Sequence, residues 1–222
     1  QVGMVSYTYT TSMSGGKPSL NGNSPVENPA LVNYFSYTNL DKFYSELTDI
    51  LEKMKSEGAE ATMLFIHWGT EYEIVENNYQ DTIAQKVCDL GVDVIVGGHP
   101  HVVQPVQLLS SAVDPEHKTV CIYSLGNAVS NQRIAERRLK TGHTEDGVLF
   151  AVTFEKYSDG TVYLAGAEVL PTWVNLSSVN GKLEYNILPL EDAKRDTWKE
   201  RFNLTDSLFQ NCVDSYQRTM DI

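Results

Sequence analysis

The stretch Val92-Asp-Val-Ile-Val-Gly-Gly-His-Pro-His-Val-Val-Gln-Pro105 decides the fold. Val92 to Val96 is a short, β-branched apolar run, the pattern of a buried strand. Gly97 and Gly98 are expected to end it in a tight turn. His99 and His101 follow, with Pro100 between them. Pro100 is expected to push His99 into an extended conformation. Residues two apart in an extended segment point the same way, so both imidazoles would face one spot past the carboxyl end of a buried strand. That is where open α/β sheets place ligands. Neutral imidazoles there suit metal coordination. The plainer reading, two loop histidines capping a turn, stands beside it, because two ligands do not make a closed metal site.

Outward from this stretch the chain alternates strands and helices. Leu40, Phe43, Leu47, Ile50, Leu51 and Met54 recur at helical spacing, with Thr38 or Asn39 as cap and Gly58 as stop. Ala61–Ile66 reads as a buried strand that delivers His67, Trp68, Gly69 and Glu71 at its carboxyl end. Asn78–Leu90 is a second helix, stopped by Gly91, and leads into the quoted strand. Thr119–Ser124 is a third strand, ending in Leu125-Gly126-Asn127. Short βα turns in this order predict a parallel α/β arrangement. His67, His99, His101 and Asn127 would then share one edge of one sheet.

The flanks are less regular. Gln1–Tyr9 reads as a strand, and the Ser/Gly/Asn-rich Thr10–Pro29 as a long surface loop. A polar loop is expected from Pro105 to Lys118, with His117 solvated. Arg133–Lys140 is locally basic, as helix or loop, and His143 is an ordinary surface residue. Gly147–Tyr157 and Thr161–Leu170 form an antiparallel hairpin around Asp159-Gly160, which Pro171–Val174 ends. Trp173 is a packing residue, and Tyr185–Leu190 is a further short strand. Asp196–Met220 is helical, interrupted near Asn203, with Thr205 capping its second part.

The chain has 222 residues, enough for one large domain or two small ones with a substantial core. Lys+Arg number 17 against Asp+Glu 29, a net charge of −12 with no basic run. Binding of nucleic acid by phosphate neutralisation is therefore not expected. An anionic substrate would need a local positive centre, which a metal ion supplies. Cys88, Cys121 and Cys212 fit no metal spacing and read as buried free thiols. No apolar run is long enough to span a bilayer.

Three motifs occur in order: His67-Trp-Gly-Thr-Glu-Tyr72, Gly97-Gly-His-Pro-His-Val-Val-Gln-Pro105 and Tyr123-Ser-Leu-Gly-Asn127. Together they closely resemble the bacterial poly-γ-glutamate capsule-synthesis proteins of the CapA type, a branch of the calcineurin-like metallophosphoesterases. The resemblance runs from about Val2 to Pro171. It implies part of an α/β/β/α sandwich over residues 1–190, with parallel strands and helices followed by an antiparallel hairpin. Residues 191–222 would be a helical extension packed on it.

By the same resemblance, His67 and His99 correspond to ligands of one divalent ion (Mn, Zn or Fe type) and His101 to a ligand of a second. Glu71 and Asn127 fall at catalytic positions, and Trp68 and Gln104 at substrate-binding ones. Ala128 stands where the family usually has an aromatic. The family's Gly-Asp, Asn-Leu-Glu and Asn-Asn-His motifs do not occur. The expectation is therefore a carboxyl-terminal portion that holds metal weakly or not at all and is inactive alone. Its partner would be the missing amino-terminal half or another chain completing the sheet, and apolar surface would be exposed where that partner packs. The implied activity is metal-dependent hydrolysis of an anionic polymer or phosphoester at the bacterial cell envelope, extracellular or secreted. Any membrane attachment would lie in segments outside this chain. A non-catalytic component that binds polyglutamate or scaffolds its synthase is the alternative.

Overall fold

The computed structural model describes residues 1–134 and 141–222. Residues 135–140, most of the basic stretch, lie outside the described residues. The strands are β1 (Val2–Ser14), β2 (Lys17–Leu20), β3 (Tyr34–Phe35), β4 (Ala61–His67), β5 (Val94–Gly98), β6 (Val106–Ser110), β7 (Lys118–Ile122), β8 (Asp146–Lys156), β9 (Val162–Val179) and β10 (Lys182–Pro189). The helices are α1 (Leu40–Ser56), α2 (Asn78–Asp89), α3 (Trp198–Arg201) and α4 (Asp206–Met220). The fold is mixed α/β. One sheet has the order β2-β1-β4-β5-β7-β6, with β3 beside β1; the other has the order β10-β9-β8.

β1, β4, β5 and β7 run parallel, as the alternation of strand and helix predicts. Asn39 caps α1, accepting from Lys42 N. Asn77 and Gln80 form a reciprocal capping box on α2. Phe43 and Leu47 of α1 and Ile83, Ala84 and Val87 of α2 bury against Val5, Tyr7, Leu64, Ile66 and Ile95 on one face of the large sheet. On its other face Val94, Val96, Val120 and Ile122 pack against Val148, Phe150, Val152 and Phe154 of β8. The layers are thus helices, sheet, sheet. Trp173, Leu188, Leu190, Trp198, Leu204 and Cys212 form a further core that fastens α3 and α4 to β9 and β10.

Several elements depart from the sequence reading. Half of the expected loop at Thr10–Pro29 is a β-hairpin. β1 continues to Ser14, Gly15 and Gly16 supply two positive φ values, and β2 returns along it. β6 lies in the expected polar loop and pairs antiparallel with β7. β9 does not end at Pro171 but runs on to Val179 and pairs with β10. Opposite Pro171, the β8 donor is turned away from β9, with Val148 N–H bonded to Leu125 O (3.0 Å) in the segment after β7, so the ladder is open where proline lacks its donor. His117 is not solvated: its Nε2 lies 3.1 Å from Val92 O. His143 is half-buried, and burial lowers its pKa. All three cysteines are free and buried.

The inner face of the large sheet is only partly covered. Register places Met4 beside Met63, Ser6 beside Phe65 and Thr8 beside His67 on that face. Met63 packs under β8. Met4 (60% exposed), Val2 (43%) and Phe65 (38%) do not. This uncovered apolar stripe leads up to His67.

Candidate functional site

Strands β4 and β5 end side by side, His67 opposite Gly98. Gly97 belongs to β5 rather than to a turn. A Cβ there would stand 1.9 Å from Tyr123 O and 2.5 Å from Trp68 Nε1, so glycine is required by close packing. The chain then reverses, but not through an extended His99. His99 has φ 102° and His101 has φ 62°, and the neighbouring Tyr72 has φ 68°. Three non-glycine residues in the left-handed region at one spot mark stored backbone strain. Tyr72 N–H donates to Pro100 O (2.8 Å) and Trp68 N–H to Gly98 O (3.1 Å), which pins the loops after β4 and β5 together.

The imidazoles of His67 and His99 are 4.6 Å apart between ring centroids, and those of His99 and His101 6.4 Å apart. Burial lowers the His67 pKa to about 4, helped by the proximity of His99 and His101. Burial also lowers that of His99, against the raising effect of Glu71. Both rings are therefore neutral at pH 7, the form that binds metals.

Asn127 fixes the third. Its Nδ2 lies within bonding distance of His101 O (3.0 Å) and Thr144 O (2.9 Å), so its Oδ1, 3.0 Å from His101 Nδ1, is the acceptor. His101 then carries its proton on Nδ1 and keeps Nε2 as a lone pair. A ligating histidine is oriented in this way by its outer partner. His99 Nδ1 is enclosed without a partner.

Two neutral rings, a free Nε2 and a bare buried Nδ1 fit the donor set of a borderline divalent ion. Among the described residues, however, no three His, Cys, Asp or Glu side chains converge closely enough to hold one.

The other anticipated residues fall differently. Glu71 is exposed on the rim, near enough to Tyr9 and His99 to raise both pKa values. Trp68 and Gln104, expected to touch substrate, are both fully enclosed. Trp68 donates from Nε1 to Tyr123 O (2.9 Å) and lies parallel to the Tyr123 ring. Gln104 accepts from Gln80 Nε2 (2.9 Å) and donates to Glu73 O (2.8 Å) and Val75 O (3.1 Å). They brace the loop after β4 from beneath.

Sequence reasoning missed two tyrosines. Tyr9 Oη lies 3.1 Å from His99 Nε2, and its ring runs parallel to that of His67. Tyr72 lies parallel to His101 with centroids 6.0 Å apart, and its hydroxyl accepts from Gln132 Nε2 (3.2 Å). The signal for Tyr9 was present: it stands at the carboxyl end of a predicted strand, the same criterion that selected His67.

A family model described as bacterial capsule synthesis protein PGA_cap matches residues 1–132. The PGA biosynthesis protein CapA of Bacillus subtilis (strain 168) is 39% identical over 74 residues, covering 33% of this chain and 18% of that protein. The capsule biosynthesis protein CapA of Bacillus anthracis is 36% identical over 78 residues, covering 35% of this chain and 17% of that protein. The matched stretch spans under a fifth of either relative's length.

Proposed function

We propose that this chain, which belongs to the bacterial capsule synthesis protein family PGA_cap, carries part of a divalent-metal hydrolase site for an anionic envelope polymer or phosphoester. The observation that carries this reading is the set of three histidines at adjacent strand ends, two of them neutral by burial and His101 holding a free nitrogen by its bond to Asn127. His67 and His99 would serve one ion and His101 a second, each needing further ligands from beyond these three. Held there, a divalent ion would supply a Lewis-acid centre for a carbonyl or phosphoryl oxygen. It also supplies the positive centre that a polyanion needs against a net charge of −12. Glu71, on the rim, would orient water or substrate. Asn127 acts through His101.

Three imidazoles do not complete such a site. The stripe of Val2, Met4 and Phe65 leads to it and is uncovered. A polypeptide segment packed there would bury apolar surface and bring acidic ligands to the histidines, making room for a second ion. Kinship with the two capsule proteins supports work at the bacterial cell envelope; the extracellular face or secretion is part of the proposal. No helix among the described residues is long and apolar enough to cross a membrane.

The test is hydrolysis of poly-γ-glutamate and of an activated phosphodiester, with Mn²⁺, Zn²⁺ or a chelator, by this chain and by longer forms that contain it. Metal-dependent turnover in a longer form, lost in His99→Ala, supports the reading. Polymer binding without turnover, unchanged by chelator and by His99→Ala, supports a non-catalytic binding component instead.

A further inference from the structure

Tyr9 Oη sits between two partners, 3.1 Å from His99 Nε2 and 3.3 Å from Asn21 Oδ1. Asn21 belongs to the turn that follows the β1–β2 hairpin, which sequence reading took for a surface loop. The other nitrogen of His99, Nδ1, is enclosed and has no partner. A neutral imidazole has a single N–H to place. On Nδ1 it would be a buried donor with no acceptor, while Nε2 took the phenol's hydrogen. On Nε2 it donates to the Tyr9 oxygen, the Tyr9 hydroxyl donates onward to Asn21 Oδ1, and only a lone pair is left bare. Orphaned buried N–H groups are the rarer and costlier of the two.

We propose that Tyr9, oriented by Asn21, is a positioning residue that locks His99 with its proton on Nε2 and leaves Nδ1 as the open nitrogen. Asn127 locks His101 the opposite way, with Nδ1 protonated and Nε2 open. Two histidines separated by one proline therefore offer different nitrogens, each set by a partner from another part of the chain. The left-handed backbone at both residues turns the two rings differently, with 52° between their planes. That these open nitrogens meet an ion rests on the reading given above. The tautomers themselves do not.

Nitrogen-resolved NMR of the metal-free chain reads each imidazole nitrogen directly. Wild type is expected to show His99 protonated on Nε2 and His101 on Nδ1. Tyr9→Phe keeps the ring that packs on His67 and removes only the hydroxyl. It should change the His99 tautomer ratio about two- to tenfold, the worth of one hydrogen bond, with His101 unmoved. Asn21→Ala should move His99 the same way by less. Wild-type His99 protonated on Nδ1, or a His99 ratio unchanged in a folded Tyr9→Phe chain, overturns the proposal. So does Zn²⁺ acting on His99 through Nε2. A chain with the stated tautomers that ignores Zn²⁺ upholds the role of Tyr9 and counts against the metal reading.

Discussion

Gly97→Ala is the substitution whose cost the structure sets most directly. The added methyl would stand 1.9 Å from Tyr123 O and 2.5 Å from Trp68 Nε1, where contacts under 3.0 Å force movement. The obstacle is backbone just past the end of β7, so the two strand ends must part or the indole must leave. Overpacking of a tight core costs about 1–3 kcal/mol. Loss of the fully buried bond from Trp68 Nε1 to Tyr123 O leaves a donor unsatisfied, about 1–3 kcal/mol more. A total near 4 kcal/mol lowers the melting temperature of a chain this size by about 8–16 °C. Gly98→Ala is the matched control, because nothing lies within 4 Å of its added methyl and its φ is not positive. That change should leave the melting temperature level or slightly higher. Calorimetry on both variants decides the matter. Melting points for the two within about 2 °C of each other would refute the account of Gly97 as a packing residue.

Three other outcomes are expected. Asp146 is buried and bonded by Arg218 Nε and Nη2, both at 2.9 Å, so Arg218→Met strands a buried carboxylate and should cost about 3–5 kcal/mol in urea unfolding; a loss under about 1 kcal/mol would contradict it. The His67 pKa, lowered from 6.5 to about 4, means that the unfolded chain binds that proton first. This contribution to stability is therefore complete above about pH 6.5 and is lost as the pH falls toward 4, and proton NMR should find His67 titrating near 4 rather than with an ordinary midpoint. Phe65→Ser together with Met4→Ser should reduce binding of an apolar dye and any self-association seen by sedimentation, with little change in melting temperature. An unchanged dye signal would show that the stripe is not open.

The legible parts of the fold were those whose pattern has one meaning. Short apolar runs bounded by glycine or polar residues mark buried strands, so β4, β5 and β7 stood out. Amphipathic spacing revealed α1 and α2, with Thr38 or Asn39 as the cap of the first and Gly91 as the stop of the second. Edges were harder to read. β6 is a five-residue edge strand with one face in water, and its alternation is too short to separate from a loop. The β1–β2 hairpin is built from Thr, Ser and Gly, a composition shared by loops and edge ribbons. Pro171 argued against a central strand, and the bond from Val148 to Leu125, after β7, removes that objection.

At the site, strand-end logic found His67, His99, His101 and Asn127. It could not tell which motif residues face outward. Trp68 and Gln104 belong to the same motifs yet point into the core. Their role is to hold the loop on which Glu71 and Tyr72 ride. The reversed backbone at His99 was not legible either, since Pro100 favours extended geometry there and only tertiary packing overrides it.

In the proposed site His67 and His99 face one divalent ion at the strand ends and His101 a second. Titration of the metal-free chain with Mn²⁺, read as paramagnetic broadening of histidine resonances, tests it most directly and works even for weak binding. His67, His99 and His101 are expected to broaden together and first, while His117 and His143 remain sharp. Broadening spread evenly over all five histidines, or none in the first three, would contradict it.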